Sequence, residues 1–278
     1  MAAETATLRA GGTRAEAHQE HELVDCEERL DVGDGYAVAI RRGRGGEYGR
    51  IMIVPPFGVP ASALSFMADQ LVPHGYEVIL LDPRNSIGDG SGDISQFRMS
   101  DVIEDCHAAL DRYLPDTVVA VSLGARAIAR ALAMRKTSPR AVLLLPVVDM
   151  AATLQEVIGE DWFSPAGLER PIPDVVPVLG FDMVSKRFRP DAEGLGILTA
   201  DSMALDLEAI AAPVTLMPGT RDPWIDHGTA TKVFHDAGRR NNRLHMRSLP
   251  CDHHELHKHP VMALRMIQAC IAEVLNTA

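Results

Sequence analysis

Three side chains far apart in the chain carry the types that nucleophilic acyl chemistry needs: Ser122, Asp222 and His254. A serine hydroxyl is a weak nucleophile at its own pKa. An imidazole must take its proton and return it to the leaving group, and a carboxylate must orient that imidazole and stabilise its charged form. Ser122 lies where the β-branched run Thr117–Val121 gives way to helical spacing, with Ala125, Ile128, Ala129 and Leu132 on one side and Arg126 and Arg130 on another. A serine at so sharp a strand-to-helix turn stands out of the sheet at a helix N-terminus, where free N–H groups favour negative charge. The surrounding pentapeptide, Ala120-Val121-Ser122-Leu123-Gly124, lacks the first glycine of G-x-S-x-G but keeps a small residue on both sides, which is what the tight turn requires. Taken by itself Ser122 could equally be an N-cap opening an ordinary helix.

The elements around these residues give them a common address. Leu23–Ile40 alternates and carries a turn signal at 31–35, which predicts an antiparallel hairpin. Buried strands are predicted at 50–54, 76–81, 117–121, 141–147, 213–218 and 244–249. Helices are predicted at 61–71, at 101–114 with Ser100 as its cap, from the Ser122 turn to about 136, at 228–237 and at 261–275. Strands alternating with helices predict a mostly parallel sheet with helices on both faces. From Asp149 to about Asp206 the regularity weakens under Pro165, Pro171, Pro173 and Pro177, with Trp162, Phe163, Phe181, Met183 and Phe188 scattered through it. So long a segment between two strands predicts an inserted cap over 149–206, on a core of 21–148 and 207–278. Its apolar residues either pack on the core or line a pocket. Residues 1–20 read as a disordered leader.

Ser122, Asp222 and His254 each fall just past the carboxyl end of a predicted strand, the edge where open α/β sheets bind ligands. Asp222 ends a strand–Gly–x–x–Asp turn, and His254 lies between the last strand and the last helix. The order Ser, Asp, His along the chain is that of the α/β-hydrolase fold. An acyl oxyanion needs two backbone donors. The Leu123 N–H is one; Pro55 and Pro56 have none to give, so Phe57 is the first possible second donor. His253 is the alternative base and Asp226 the alternative acid, although Asp226 beside a helix start defaults to capping. The spacing of His253, His254, His257 and His259 matches no zinc pattern, and neither a metal nor another cofactor is expected. Cys251 reads as a packing thiol, and Asp82, Asp89 and Asp93 as turn residues. Arg126 and Arg130, one turn apart, read as a solvated face.

The bulk composition excludes several classes. Apolar residues at 46% and charged residues at 23% are ordinary for a soluble globular chain. A net charge of −11 argues against non-specific nucleic-acid binding. The longest apolar run, 141–148 with Pro146 inside it, is far too short to span a bilayer, and the N-terminus is no secretory signal. Four scattered cysteines suit a reducing cytoplasm.

From about Arg50 to Leu275 the chain resembles the acyl transferases (myristoyl-acyl-carrier-protein thioesterases) of bacterial bioluminescence. Ser122-Leu123-x-Ala125-Arg126 is similar to that family's elbow, which also lacks the first glycine. Asp222-x-Trp224 is similar to its acid turn, His254-Glu255-Leu256 to its His-Asp-Leu, and Phe57 to a phenylalanine of its oxyanion loop. Val147-Val148-Asp149-Met150 and Thr153-Leu154 resemble the segment that opens its cap. The chain departs at Gly124, where that family has serine, and in its first 49 residues. The resemblance implies an acyl-serine intermediate on Ser122, with Asp222 as acid and His254 as base, and a partner that is acyl carrier protein or another acyl thioester. The competing readings are a carboxylesterase of small or medium-chain esters and a non-catalytic receptor for an apolar ligand. Because an acidic enzyme repels an acidic carrier, a local basic patch is expected, with Arg126, Arg130, Arg135, Lys136 and Arg140 as candidates.

Overall fold

The computed structural model describes residues 24–43, 48–253, 255 and 260–276; the expected leader lies outside them. Ten strands are labelled β1 (Val24–Val32), β2 (Gly35–Gly43), β3 (Arg50–Val54), β4 (Glu77–Asp82), β5 (Thr117–Val121), β6 (Arg140–Leu144), β7 (Val175–Val178), β8 (Phe181–Val184), β9 (Val214–Met217) and β10 (Leu244–Met246). The helices are α1 (Ser65–Leu71), α2 (Met99–Tyr113), α3 (Leu123–Ala133), α4 (Met150–Ile158), α5 (Ser185–Gly194), α6 (Ala200–Ala209), α7 (His227–Gly238) and α8 (Pro260–Asn276).

Eight strands form one sheet in the order β1-β2-β4-β3-β5-β6-β9-β10. β1 pairs antiparallel with β2, and β2 antiparallel with β4, while every pairing from β4 to β10 is parallel. This is the α/β-hydrolase arrangement. The two-residue turn between β1 and β2 works because Gly33 adopts φ 56°. Side chains alternate across the central strands, so β5 sends Val118 and Ala120 into one apolar layer and Val119 and Val121 into the other. The first layer is closed by α2, α3, α6 and α7, the second by α1 and α8. Strands covered on both faces explain why the sequence shows unbroken apolar runs there rather than alternation.

The helix expected at 101–114 begins two residues earlier. Its N-cap position is Arg98, and the Ser100 N–H is held instead by the Asp191 carboxylate. The segment after β6 is more regular than its prolines suggest. Asp149 caps α4 by accepting from the Ala152 N–H at 3.0 Å. β7 and β8 form a separate antiparallel hairpin, and α5 tolerates Pro190 within it. No helix among the described residues is long and apolar enough to cross a membrane.

Candidate active site

The turn between β5 and α3 carries Ser122 at φ 53° and ψ −119°, a conformation that costs an L-residue on the order of 1–3 kcal/mol and persists only where its surroundings over-determine it. The Ser122 N–H donates to the Leu144 carbonyl at 3.0 Å, and the Ser122 carbonyl accepts from Ala125 and Val147 at 3.1 and 3.3 Å. Gly124 is required by a close approach: a Cβ there would stand 2.4 Å from the Pro55 carbonyl oxygen. Two positions before Ser122, Ala120 is fully buried within the sheet, so a methyl group fits where the usual motif has glycine.

Asp222 lies in the turn after β9. Its Oδ1 accepts from the Trp224 and Ile225 N–H groups at 3.0 and 3.3 Å. Its Oδ2 lies 2.8 Å from Nδ1 of His253, and Nε2 of the same imidazole lies 2.7 Å from Ser122 Oγ. The His253 and Asp222 side chains are 2% and 1% exposed, so this chain of bonds runs through a dry interior where electrostatic interactions are strong. The Trp224 ring packs against His253 at 4.9 Å between centroids.

The imidazole that reaches serine and carboxylate is that of His253, the alternative base; His254, the expected base, lies outside the described residues. Local bonding sets the register. The Asp252 carboxylate accepts from the Glu255 N–H and the Glu255 carboxylate from the Asp252 N–H, both at 2.9 Å. Arg221 secures Glu255 by an ion pair at 3.1 Å. Asp252-x-x-Glu255 is a reciprocal cap that holds the backbone beside His253. With both ring nitrogens engaged, His253 has none left for the metal cluster considered above; His257 and His259 also lie outside the described residues.

Other candidates resolve simply. Asp226 caps α7, accepting from the Thr229 N–H at 2.7 Å and its hydroxyl at 2.9 Å, and these bonds hold its carboxyl below the usual range. Cys251 is buried, which pushes its thiol up to about 12, as expected of a packing residue. Asp82 is more than a turn residue: fully buried, it accepts from the Ala61 N–H at 2.6 Å and so anchors the loop that carries Phe57.

Ser122, Phe57 and Leu123 open onto one narrow cavity of about 50 Å³. Phe97, Val147 and Trp224 supply its core-side wall, and the cap supplies Met150, Thr153, Leu154 and Val157 from α4, Val178, Leu179 and Met183 from the hairpin, and Phe188 from α5. The apolar residues of the 149–206 segment therefore both pack and line a pocket. Phe57 is fixed edge-on between Phe97 and Phe181, at 5.1 and 5.8 Å.

Arg126 and Arg130 do not form a solvated face. Arg126 is fully buried. Its guanidinium donates to the Asp206 carboxylate at 2.7 Å, the Ile197 carbonyl at 3.1 Å and the Ser202 hydroxyl at 3.2 Å. Arg130 meets the same carboxylate at 3.1 Å and the Leu195 carbonyl at 3.0 Å. Both hold the returning end of the cap to α3 and are unavailable for docking. The partner lies 80 residues away in the chain from Arg126, which is why helical periodicity could not reveal it.

The family model described as acyl transferase matches residues 47–275. No curated protein matches the chain. Among solved structures the chain is similar to Est1E from Butyrivibrio proteoclasticus, determined with ferulic acid bound, with a TM-score of 0.70 and 14% identity over 90% of this chain and 98% of that one. It is similar to an esterase of Pyrococcus furiosus, with a TM-score of 0.60 and 14% identity over 90% and 91%. It is also similar to the thioesterase domain from the curacin biosynthetic pathway, with a TM-score of 0.55 and 17% identity over 89% and 99%. At such identities the likeness is one of fold. The family match, in contrast, covers most of the chain, and this chain belongs to the acyl transferase family, built on the α/β-hydrolase fold.

Proposed function

We infer that the chain is a serine-dependent acyl thioesterase or acyltransferase, with Ser122 as nucleophile, His253 as base and Asp222 as the acid that orients it. The observation that carries this reading is the unbroken contact Ser122–His253–Asp222 at the end of an apolar cavity. His253 Nε2 takes the hydroxyl proton as Oγ bonds to the acyl carbon, and the carbonyl electrons move onto oxygen. Leu123 begins α3, so its N–H has no acceptor within the helix; with the Phe57 N–H it forms the oxyanion site, where losing one donor costs ~10²–10³ in turnover. The C–S bond then breaks and His253 returns the proton to the thiolate. Water or an alcohol repeats the steps on the acyl-serine, regenerating Ser122.

The acyl group fits a hydrocarbon chain, because Ser122 and Thr153 are the polar residues in an otherwise apolar lining. Acyl carrier protein as its donor is supported by the resemblance to the bioluminescence enzymes. The alternative, a carboxylesterase with the same three residues, is favoured by one observation. Of the five basic residues considered for carrier docking, Arg126 and Arg130 are committed to the cap. Arg135, Lys136 and Arg140 lie between the end of α3 and the start of β6, at the opposite edge of the sheet from Ser122.

The test is a matched series of acyl-carrier thioesters and p-nitrophenyl esters of equal chain length, run on wild type and Ser122→Ala. The proposal expects the variant to lose roughly 10³-fold or more on both substrates and wild type to favour the carrier thioester. Undiminished turnover by Ser122→Ala overturns the serine mechanism, and indifference to the carrier assigns the esterase reading.

A further inference from the structure

Thr153 takes no part in the mechanism above, yet it joins the cap to the acid turn. Its Oγ1 donates to the Trp224 carbonyl at 3.1 Å. The other groups of Trp224 face the reacting residues: its N–H donates to Asp222 Oδ1 at 3.0 Å and its ring lies on the His253 imidazole. Thr153 itself is fixed from behind. Its N–H donates to the Asp149 carbonyl at 3.0 Å, and the Ala151 N–H two residues earlier donates to the Leu198 carbonyl at 2.9 Å. Leu198 follows Ile197, whose carbonyl is held by Arg126 on α3, the helix that begins at the nucleophile. The contacts close into a ring, from Ser122 along α3 to Arg126, across the cap to α4, through Thr153 to Trp224 and Asp222, and through His253 back to Ser122.

We propose that Thr153 is a positioning residue for the acid turn: by holding the Trp224 carbonyl it sets the Asp222 carboxylate and the imidazole plane against Ser122. This rests on the serine mechanism proposed above. A cap that only roofs the cavity needs an apolar side chain at this place. Valine has the shape of threonine and would fill the wall equally well, but it cannot make the bond. Thr153 is a buried residue, 9% exposed, so bulk water does not readily replace the bond when it is removed. Loss of one net hydrogen bond of this kind corresponds to about a three- to ten-fold loss in rate.

The experiment compares Thr153→Val and Thr153→Ser with wild type, on short- and medium-chain p-nitrophenyl esters and in the rate of Ser122 labelling by a small fluorophosphonate. For Thr153→Val the expected result is a fall of about three- to ten-fold in kcat and in labelling rate together, with KM within two-fold and the same defect at every chain length. Thr153→Ser, which keeps the donor and gives up the methyl, should regain wild-type kcat whether or not Thr153→Val folds. A rise in KM that grows with chain length at constant kcat would make Thr153 a wall residue and overturn the proposal, as would a serine variant no better than valine. Ser122→Ala measured in the same assay separates the two readings: if it abolishes turnover while Thr153→Val is unaffected, only the positioning role fails.

Discussion

Two regions meet at the cavity, and they hold their shape by different means. The sheet edge that presents Ser122, Asp222 and His253 is fixed by backbone: a strained elbow braced by three main-chain hydrogen bonds, a glycine at 124 against the Pro55 carbonyl, and Gly219, where a Cβ would stand 2.6 Å from the Cys251 carbonyl. The 149–206 segment is fixed by side-chain ties, with Arg126 and Arg130 of α3 reaching Asp206 at one end and Thr153 reaching the Trp224 carbonyl at the other. Close backbone approaches leave little freedom and position reacting atoms well. Side-chain ties across a cavity leave its walls free to vary without moving the centre. The reacting edge is thus set by close backbone approaches between neighbouring strands and loops, and the pocket by side-chain ties.

The largest expected effect lies at the reacting edge. His253→Ala should lower kcat by roughly 10³-fold or more, while His254→Ala stays within two-fold; parallel steady-state kinetics on a p-nitrophenyl ester decide it. The reverse result would put the base one residue later. Next comes the cap tie. Arg126→Met leaves the Asp206 carboxylate buried with only Arg130 as its charged partner, and breaking a buried pair costs about 3–5 kcal/mol, to be read as a lower urea midpoint. In contrast, Ser122→Ala should not lower that midpoint, because its hydroxyl serves chemistry and not the fold. The smallest effect is expected at Asp226. Its carboxyl is held below the usual range by Thr229, so its contribution is present above the ordinary carboxylate pKa and is lost as pH falls through the lowered one. Asp226→Ala should cost about 0.5–2 kcal/mol near neutrality and less in acid, which thermal melts across pH would follow.

The same division explains what could be read from the sequence. The strands at 50–54 and 117–121 are legible to the residue, because buried parallel strands are continuous apolar runs and Pro55 and Ser122 end them abruptly. The acid turn was legible through Gly219 and Asp222. Which of the adjacent histidines meets Ser122 was not legible, because the two are chemically equal in the sequence; the contact made is that of His253. Arg126 was misread because charge at helical spacing normally marks solvent, and its partner Asp206 is remote in the chain. The hairpin β7–β8 escaped notice because its strands are four residues each, one of them containing Pro177.

The central claim is that Ser122, activated by His253, becomes acylated. Its most direct test is rapid-quench intact mass spectrometry of the enzyme mixed with a medium-chain acyl thioester, followed by peptide mapping. The account predicts one acyl group on Ser122 that is absent in Ser122→Ala and strongly delayed in His253→Ala. Acylation at another residue, or turnover with no Ser122 adduct and no loss in either variant, would contradict it.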